Sequence, residues 1–321
     1  MKLLLKEDKA RVHFALTSPR QDFMLAHMSK DAIPVKVILF VLLLAMLWGG
    51  NTVALKIGFQ EFMPLATAGL RFSVAALLII VWAYANRISL RPKPHERFSL
   101  FLIGLLFTLQ IICFNWGTDL TRAGRAAVMI NTYPLFIGFI ARFVAPGDRL
   151  RFWKGVGLIV AFGGIVVVFR DNLAGGHRGY LIGDLLTISS GFQLALLIVL
   201  TKRLVQHIDP YRLLASQMIV GIPIFFSLSM VFEGRTGYGF SYPALFALLY
   251  QGIVVGGFCF VGWTLVLKHY SPSRMAVLFF TTPLWGIALS HLILAEPLTL
   301  GLGIGAVLVA LGICIVNQAP V

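Results

Sequence analysis

The stretch RAAVMINTYPL, residues 125–135, returns in altered form as RMAVLFFTTPL at residues 274–284. Both copies fit R-x-A-V-x-x-x-T-x-P-L, and each opens an apolar run while placing a threonine and a proline inside it. Other marks keep the same order around the two copies. Pro64 and Pro210 precede them, and Trp116 and Trp263 stand between each proline and its long motif. Three pairs of marks at nearly the same offset describe one unit written twice.

The runs that carry these marks are apolar enough to lie in lipid. Of 321 residues, 58% are hydrophobic and only 12% charged, and the mean hydropathy is +0.87. A soluble domain needs roughly 25% charged residues to cover its surface, so this composition excludes one of this size. Apolar stretches recur from Val37 to Val316, each about the 20 residues needed to cross a hydrocarbon core. Backbone groups in lipid must be satisfied within the chain, which favours helices. The expected fold is an all-α polytopic membrane protein with spans near 37–56, 64–84, 98–117, 125–145, 152–170, 180–202, 211–232, 242–267, 274–294 and 299–317. Residues 1–36 are polar and weakly periodic and read as a disordered cytoplasmic tail, with Met24 and Met28 open as alternative translation starts.

With ten spans, the two copies open spans four and nine. A repeat of five spans is odd, so the second unit enters the membrane from the opposite side. The expected domains are therefore two inverted five-helix repeats, 37–170 and 180–317. Inverted repeats recur in secondary transporters, where substrate binds near the midplane between them. Lysine and arginine set the orientation. Arg87, Arg91, Lys93, Arg97, Arg149, Arg151, Lys202, Arg203 and Lys268 fall on one side, against Arg122, Arg170, Arg178 and Arg235 on the other. The positive-inside rule then places both termini in the cytoplasm.

A net charge of +14 is absorbed by those connections and the tail, and no basic stripe with interleaved aromatics points to nucleic acid. Cys113, Cys259 and Cys314 lie in apolar runs without metal-ligand spacing, so no metal and no cofactor is expected. The stretch HERFS at 95–99 lacks the second histidine of a zinc-protease helix, and no nucleophile elbow or phosphate loop occurs. The chain is not read as an enzyme.

Pro134 and Pro283 are candidate hinges, because proline removes a backbone donor and bends a helix. The carbonyls of Ile130 and Phe279 would lose their partners, with Thr132 and Thr281 near enough to answer them; a kink that merely improves packing is the competing account. Ala127, Asn131, Pro134 and Gly138 fall on one face, and Tyr133 borders it. Trp48 and Asn51 stand one turn apart in WGGNTVALK, residues 48–56. Gln110, Asn115, Gln193 and Trp263 add polar or aromatic groups on other spans, and polar groups at that depth are costly in lipid. Asp184 and Glu296 read as interfacial carboxylates, Glu296 with Pro297 as a cap for span ten.

The WGGNTVALK stretch, the two R-x-A-V-x-x-x-T-x-P-L blocks, GDLL at 183–186 and AEPLT at 295–299 together resemble the ten-span family of the drug/metabolite transporter superfamily built from two EamA-type domains. The resemblance implies an inner-membrane exporter of amino acids or other small metabolites, with a cavity built from spans three, four, eight and nine. It selects Asn131, Tyr133, Trp116, Trp263, Thr281 and Trp285 as cavity residues beside Trp48 and Asn51. One departure is that Gly147, followed by Asp148, stands where the family carries an acidic residue after span four. The expected partners are a small-molecule substrate and the lipid bilayer, with protons open as a coupling ion. Amides, aromatics and hydroxyls favour neutral, zwitterionic or aromatic solutes, with Arg125 and Arg142 as exceptions. An exchanger, an importer or a non-transporting scaffold is the alternative.

Overall fold

A computed structural model describes residues 33–144, 152–174, 179–234, 239, 241–270, 272, 275 and 278–318. The tail up to residue 32, Gly147, Asp148 and Arg274 lie outside the described residues. Every regular element among the described residues is helical. The α-helices are α1 (Val35–Gly49), α2 (Asn51–Gly58), α3 (Pro64–Ala85), α4 (Arg97–Leu120), α5 (Ala123–Ile130), α6 (Tyr133–Val144) and α7 (Phe152–Ala174), followed by α8 (Gly179–Leu204), α9 (Pro210–Leu228), α10 (Tyr242–Leu249), α11 (Phe260–His269), α12 (Thr282–Leu294) and α13 (Leu300–Gln318). Residues 33–39 form one unit, in which α1 starts as the Val37 amide bonds the Pro34 carbonyl at 2.9 Å; Phe40 onward forms the other.

These helices make ten rods among the described residues, because α1–α2, α5–α6 and α10–α11 each belong to one interrupted rod. Six are long and apolar enough to cross a membrane: Val35–Gly58, Pro64–Ala85, Pro94–Leu120, Tyr180–Leu204, Pro210–Glu233 and Tyr242–His269. Apolar stretches also run through α7 at Ile159–Val168, α12 at Thr282–Leu294 and α13 at Leu300–Gly312. The fourth expected span breaks at Asn131 and Thr132, leaving pieces of 8 and 12 residues. Leu77, Phe101, Phe162 and Leu300 all face outward, an arrangement suited to hydrocarbon rather than water.

Start signals are local. Pro64 and Pro210 open α3 and α9, positions where the missing N–H has no intrahelical acceptor in any case. Asp209 caps α9 by accepting from the amides of Tyr211 at 2.9 Å and Arg212 at 3.3 Å. Packing relies on apolar rings and missing side chains. Phe72 and Phe107 meet edge-on at 4.9 Å between α3 and α4, and Met218 and Phe225 of α9 close the same core. Along α7 and α13, a Cβ at Gly305 would lie 2.3 Å from Val168 Cγ2. Small residues allow that backbone approach, which takes the place of a hydrophobic drive between helices in lipid.

The prolines act differently from the expected kinks. Pro134 is the second residue of α6, and Pro283 the second of α12 after a 3-10 turn at Leu278–Thr281. Each therefore begins a new helix, where its missing N–H costs least. The Thr132 and Thr281 hydroxyls bond the carbonyls of Met129 at 2.7 Å and Leu278 at 3.4 Å, not those of Ile130 and Phe279.

Candidate functional site

Three interruptions converge on one cavity of about 130 Å³. The first is Gly50 between α1 and α2, and the second is the Asn131–Thr132 break between α5 and α6. The third is a ten-residue π-helical stretch, Tyr250–Cys259, between α10 and α11. Long π-helices are rare and concentrate at functional sites. This one is accommodated by glycine: a Cβ at Gly252 would stand 2.7 Å from Val74 Cβ and one at Gly256 2.8 Å from Ala75 Cβ, so α3 presses directly on it. The wider turn brings Gln251, Val255 and Gly256 onto the cavity wall.

One wall is aromatic. Trp48 lies 5.8 Å from Phe279 and 6.5 Å from Trp263 between ring centroids, and Trp263 meets Phe279 at 4.7 Å. The polar wall holds Asn51, Thr52, Arg71, Gln110, Gln251 and Thr282. From mid-span the lining continues to Thr201, Leu214 and Leu267, each within about a turn of the end where α8 finishes, α9 begins and α11 finishes.

Trp48, Asn51, Asn131, Tyr133 and Trp263 all line this space. Trp116, Thr281 and Trp285 do not. Trp116 donates its indole N–H to Glu233 Oε1 at 3.1 Å. Trp285 is 42% exposed, on the outward face of α12. Thr281 belongs to the 3-10 turn, and its neighbour Thr282 takes the cavity position. Neither hinge proline is on the wall. Of the further amides, Gln110 lines the cavity, whereas Asn115 donates to the Pro64 carbonyl at 2.7 Å and Gln193 to Ser189 Oγ at 3.1 Å.

The opposite end is tied shut by polar contacts. Glu296 Oε1 and Oε2 accept from the Ala123 and Gly124 amides at 2.8 and 3.0 Å. It thus caps α5 rather than span ten, whose start is capped by Thr299 Oγ1, accepting from the Leu302 amide at 3.1 Å. Glu233 does the same for α3, accepting from the Leu65 amide at 2.9 Å. A carboxylate is favoured there because helix N-termini present free N–H groups and positive potential. Asp184 is fully buried, pairs with Arg125 at 2.5 Å and accepts from Thr121 Oγ1 at 2.8 Å. Arg125 is therefore engaged away from the cavity; the Arg142 side chain lies outside the described residues. At the cavity end, Glu96 pairs with Arg212 at 3.0 Å, and Lys202 Nζ donates to the Leu267 carbonyl at 2.7 Å.

Ten helical rods, broken helices around a central cavity and scarce, paired charges define the object to be compared. The model of the EamA-like transporter family matches residues 35–170 and, a second time, residues 181–318. The chain belongs to this family. The EamA family lies within the drug/metabolite transporter superfamily. An uncharacterized transporter of Bacillus subtilis, YoaV, is 25% identical over 87% of this chain and 96% of its own. A probable amino-acid metabolite efflux pump of Escherichia coli K12 is 27% identical over 85% of this chain and 92% of its own. A crystal structure 18% identical shares the fold with a TM-score of 0.67, over 89% of this chain and 99% of that one. As an EamA-family member the chain is a multi-pass membrane transporter and not an enzyme.

Arg71 lines the cavity although no motif in the sequence marks it. It was visible as the one charge inside the apolar run 64–85, and an ionisable residue at that depth is by default a functional-site candidate. Gln251 was likewise visible as the amide inside the apolar run 242–267, whereas the target of Glu233 arises only from tertiary placement.

Proposed function

We propose that the protein exports small metabolites across the inner membrane by alternating access, with both termini in the cytoplasm. The cargo class is amino acids or related neutral, zwitterionic or aromatic compounds. One observation carries this reading: the cavity sits where three interrupted rods meet, with aromatic and polar side chains converging at mid-depth. Such sites are characteristic of transporters whose discontinuous helices meet at a repeat interface. Two separate matches of one family model support the division into five-helix repeats at 37–170 and 180–317. The name of the Escherichia coli relative supports export.

In this reading the carboxylate caps seal the outer end while the cavity reaches toward the cytoplasmic end. Pro134 and Pro283 mark short helices, α6 and α12, that pivot on their unpaired first turns. Trp48, Asn51, Asn131, Tyr133 and Trp263 contact solute, and the neighbouring Thr282 replaces Thr281. Trp116 and Trp285 act at the periphery.

Everted vesicles supplied from outside with a panel of labelled amino acids and related metabolites, with and without a pH gradient, provide the test. Carrier-dependent uptake is expected, reduced at least tenfold by Asn131→Ala or Trp263→Ala at unchanged membrane insertion. Equal flux in vesicles lacking the protein would refute transport of that panel, and unaltered flux in both variants would remove the site.

A further inference from the structure

Three arginines are buried among the described residues: Arg71, Arg125 and Arg212. Two have carboxylate partners, Asp184 for Arg125 and Glu96 for Arg212. Arg71 has none, although it is only 2% exposed and sits on α3 at the depth of the cavity. Its Nη1 and Nη2 donate to Asn51 Oδ1 at 3.3 Å and Asn115 Oδ1 at 3.1 Å, and its Nε meets no protein acceptor. Of the five N–H groups of a guanidinium, two are therefore used, both by neutral amides. Its flat face covers the Phe72 ring at 4.6 Å, which gives further hold without neutralising it. Arg71 is also the buried arginine that lines the cavity, and no aspartate or glutamate among the described residues does so.

The same wall leaves other hydrogen-bonding groups open. Gln251 is fully buried, yet neither Oε1 nor Nε2 has a protein partner, and the hydroxyls of Thr52 and Thr282 share that condition. A buried polar group without a partner is costly, and four of them around one cavity, Arg71 included, form a surface prepared for a polar ligand. The same cavity is lined by the aromatic cluster of Trp48, Trp263 and Phe279. A space of about 130 Å³ is close to the roughly 150 Å³ in which a protein interior holds benzene.

We propose that Arg71 anchors a carboxylate on the transported solute, so that the preferred cargo is a monocarboxylate with a compact apolar or aromatic body. This rests on the transporter reading above but departs from its cargo charge: among the aromatic and compact compounds it selects a monoanion in place of a neutral or zwitterionic solute. Charge balance selects the class. A single carboxylate neutralises the cavity and matches the planar fork of a guanidinium. A zwitterion brings an ammonium for which the wall offers no carboxylate. A phosphate monoester brings about two negative charges against one cation. Seven residues after the first proline mark stands Arg71; seven after the second stands Gln217, also on the wall. The charge is thus confined to one half of the chain, and one anion satisfies it.

Isothermal titration calorimetry of the full-length protein in lipid nanodiscs compares benzoate with benzamide, phenylglycine and phenyl phosphate. Benzoate is expected to bind at least ~30-fold tighter than benzamide, the effect of losing one member of a buried, hydrogen-bonded charge pair. Arg71→Gln abolishes that preference, and Arg71→Lys, which keeps the charge without the fork, retains part of it. A purely structural arginine would leave the benzoate-to-benzamide ratio of the variants unchanged. Equal binding of the pair by the native protein, no benzoate binding at all, a preference that survives Arg71→Gln, or tighter binding of phenyl phosphate or phenylglycine each overturns the inference. The native protein's own ratio decides the matter should Arg71→Gln not fold. Vesicle flux of uncharged solutes without benzoate binding would remove the anion anchor and leave the transporter standing; absence of any carrier-dependent flux would remove both.

Discussion

Asp184→Asn removes the charge that faces Arg125 while keeping the size of the side chain. The geometry makes this a severe change. Arg125 and Asp184 side chains are 7% and 0% exposed, their closest atoms are 2.5 Å apart, and Arg125 Nε has no other protein acceptor. Water cannot re-solvate the guanidinium without opening the contact between α5 and α8. Losing one partner of such a buried pair costs about 3–5 kcal/mol, chiefly through the charge left behind. Replacing both, as Arg125→Met with Asp184→Leu, removes the penalty along with the pair and should restore stability to within about 1 kcal/mol of the native protein. Arg71 supplies the opposite expectation. It has no carboxylate to lose, so Arg71→Met should cost little or stabilise while impairing solute binding, the usual trade at functional sites. Unfolding by SDS titration of the purified protein in mixed micelles measures all three variants against the native protein. A loss below about 1 kcal/mol for Asp184→Asn would refute the reasoning, as would a double variant no better than the single.

At the same end of the bundle, Glu296→Ala deprives α5 of the oxygens that accept from the Ala123 and Gly124 amides. A cost of about 1–2 kcal/mol follows from lost capping and lost charge at a helix N-terminus. Hydrogen exchange at those two amides should accelerate at least tenfold, and unchanged protection would show that the cap contributes nothing. Gly286→Val tests the crossing of α5 and α12, where a Cβ would fall 2.4 Å from Ala127 Cβ. Overpacking of this kind costs about 1–3 kcal/mol, and Ala127→Gly should recover part of it. Stability equal to the native protein in the single variant would mean that the helices are free to separate there.

Much of the architecture was legible because lipid imposes a coarse rule. Apolar runs of span length and the shortage of charge led to an all-helical membrane protein, and the repeated threonine–proline marks led to the places where α6 and α12 begin. What happens at those places was less legible. A proline inside an apolar run reads as a kink, yet here Pro134 and Pro283 each start a fresh helix, since a short 3-10 turn or an unwound pair of residues relieves the same missing donor. Placement around the helix axis was also beyond the pattern. One residue turns a side chain by about 100°, which is why Thr282 rather than Thr281 reaches the cavity. Trp285, two residues past Pro283, comes out on the far face. In the interrupted first rod, Trp48 and Asn51, one turn apart in sequence, both line the cavity.

The charged residues divide by partner, and the partners come from distant parts of the sequence. Glu233 reaches the start of α3 across 168 residues and Glu296 the start of α5 across 173; nothing in the neighbourhood of either residue encodes those targets. Repeated marks reveal positions where the halves agree, such as Trp116 and Trp263, whereas Arg71 and Gln217, each seven residues after a proline mark, differ and leave no repeat to read. Agreement between repeats preserves what both halves need structurally, namely proline starts, threonine turns and close approach. A bound solute is not itself two-fold symmetric, so its recognition requires the halves to differ. If Arg71 anchors the solute as inferred above, this arginine and Gln217, which both line the cavity, are where cargo identity is set.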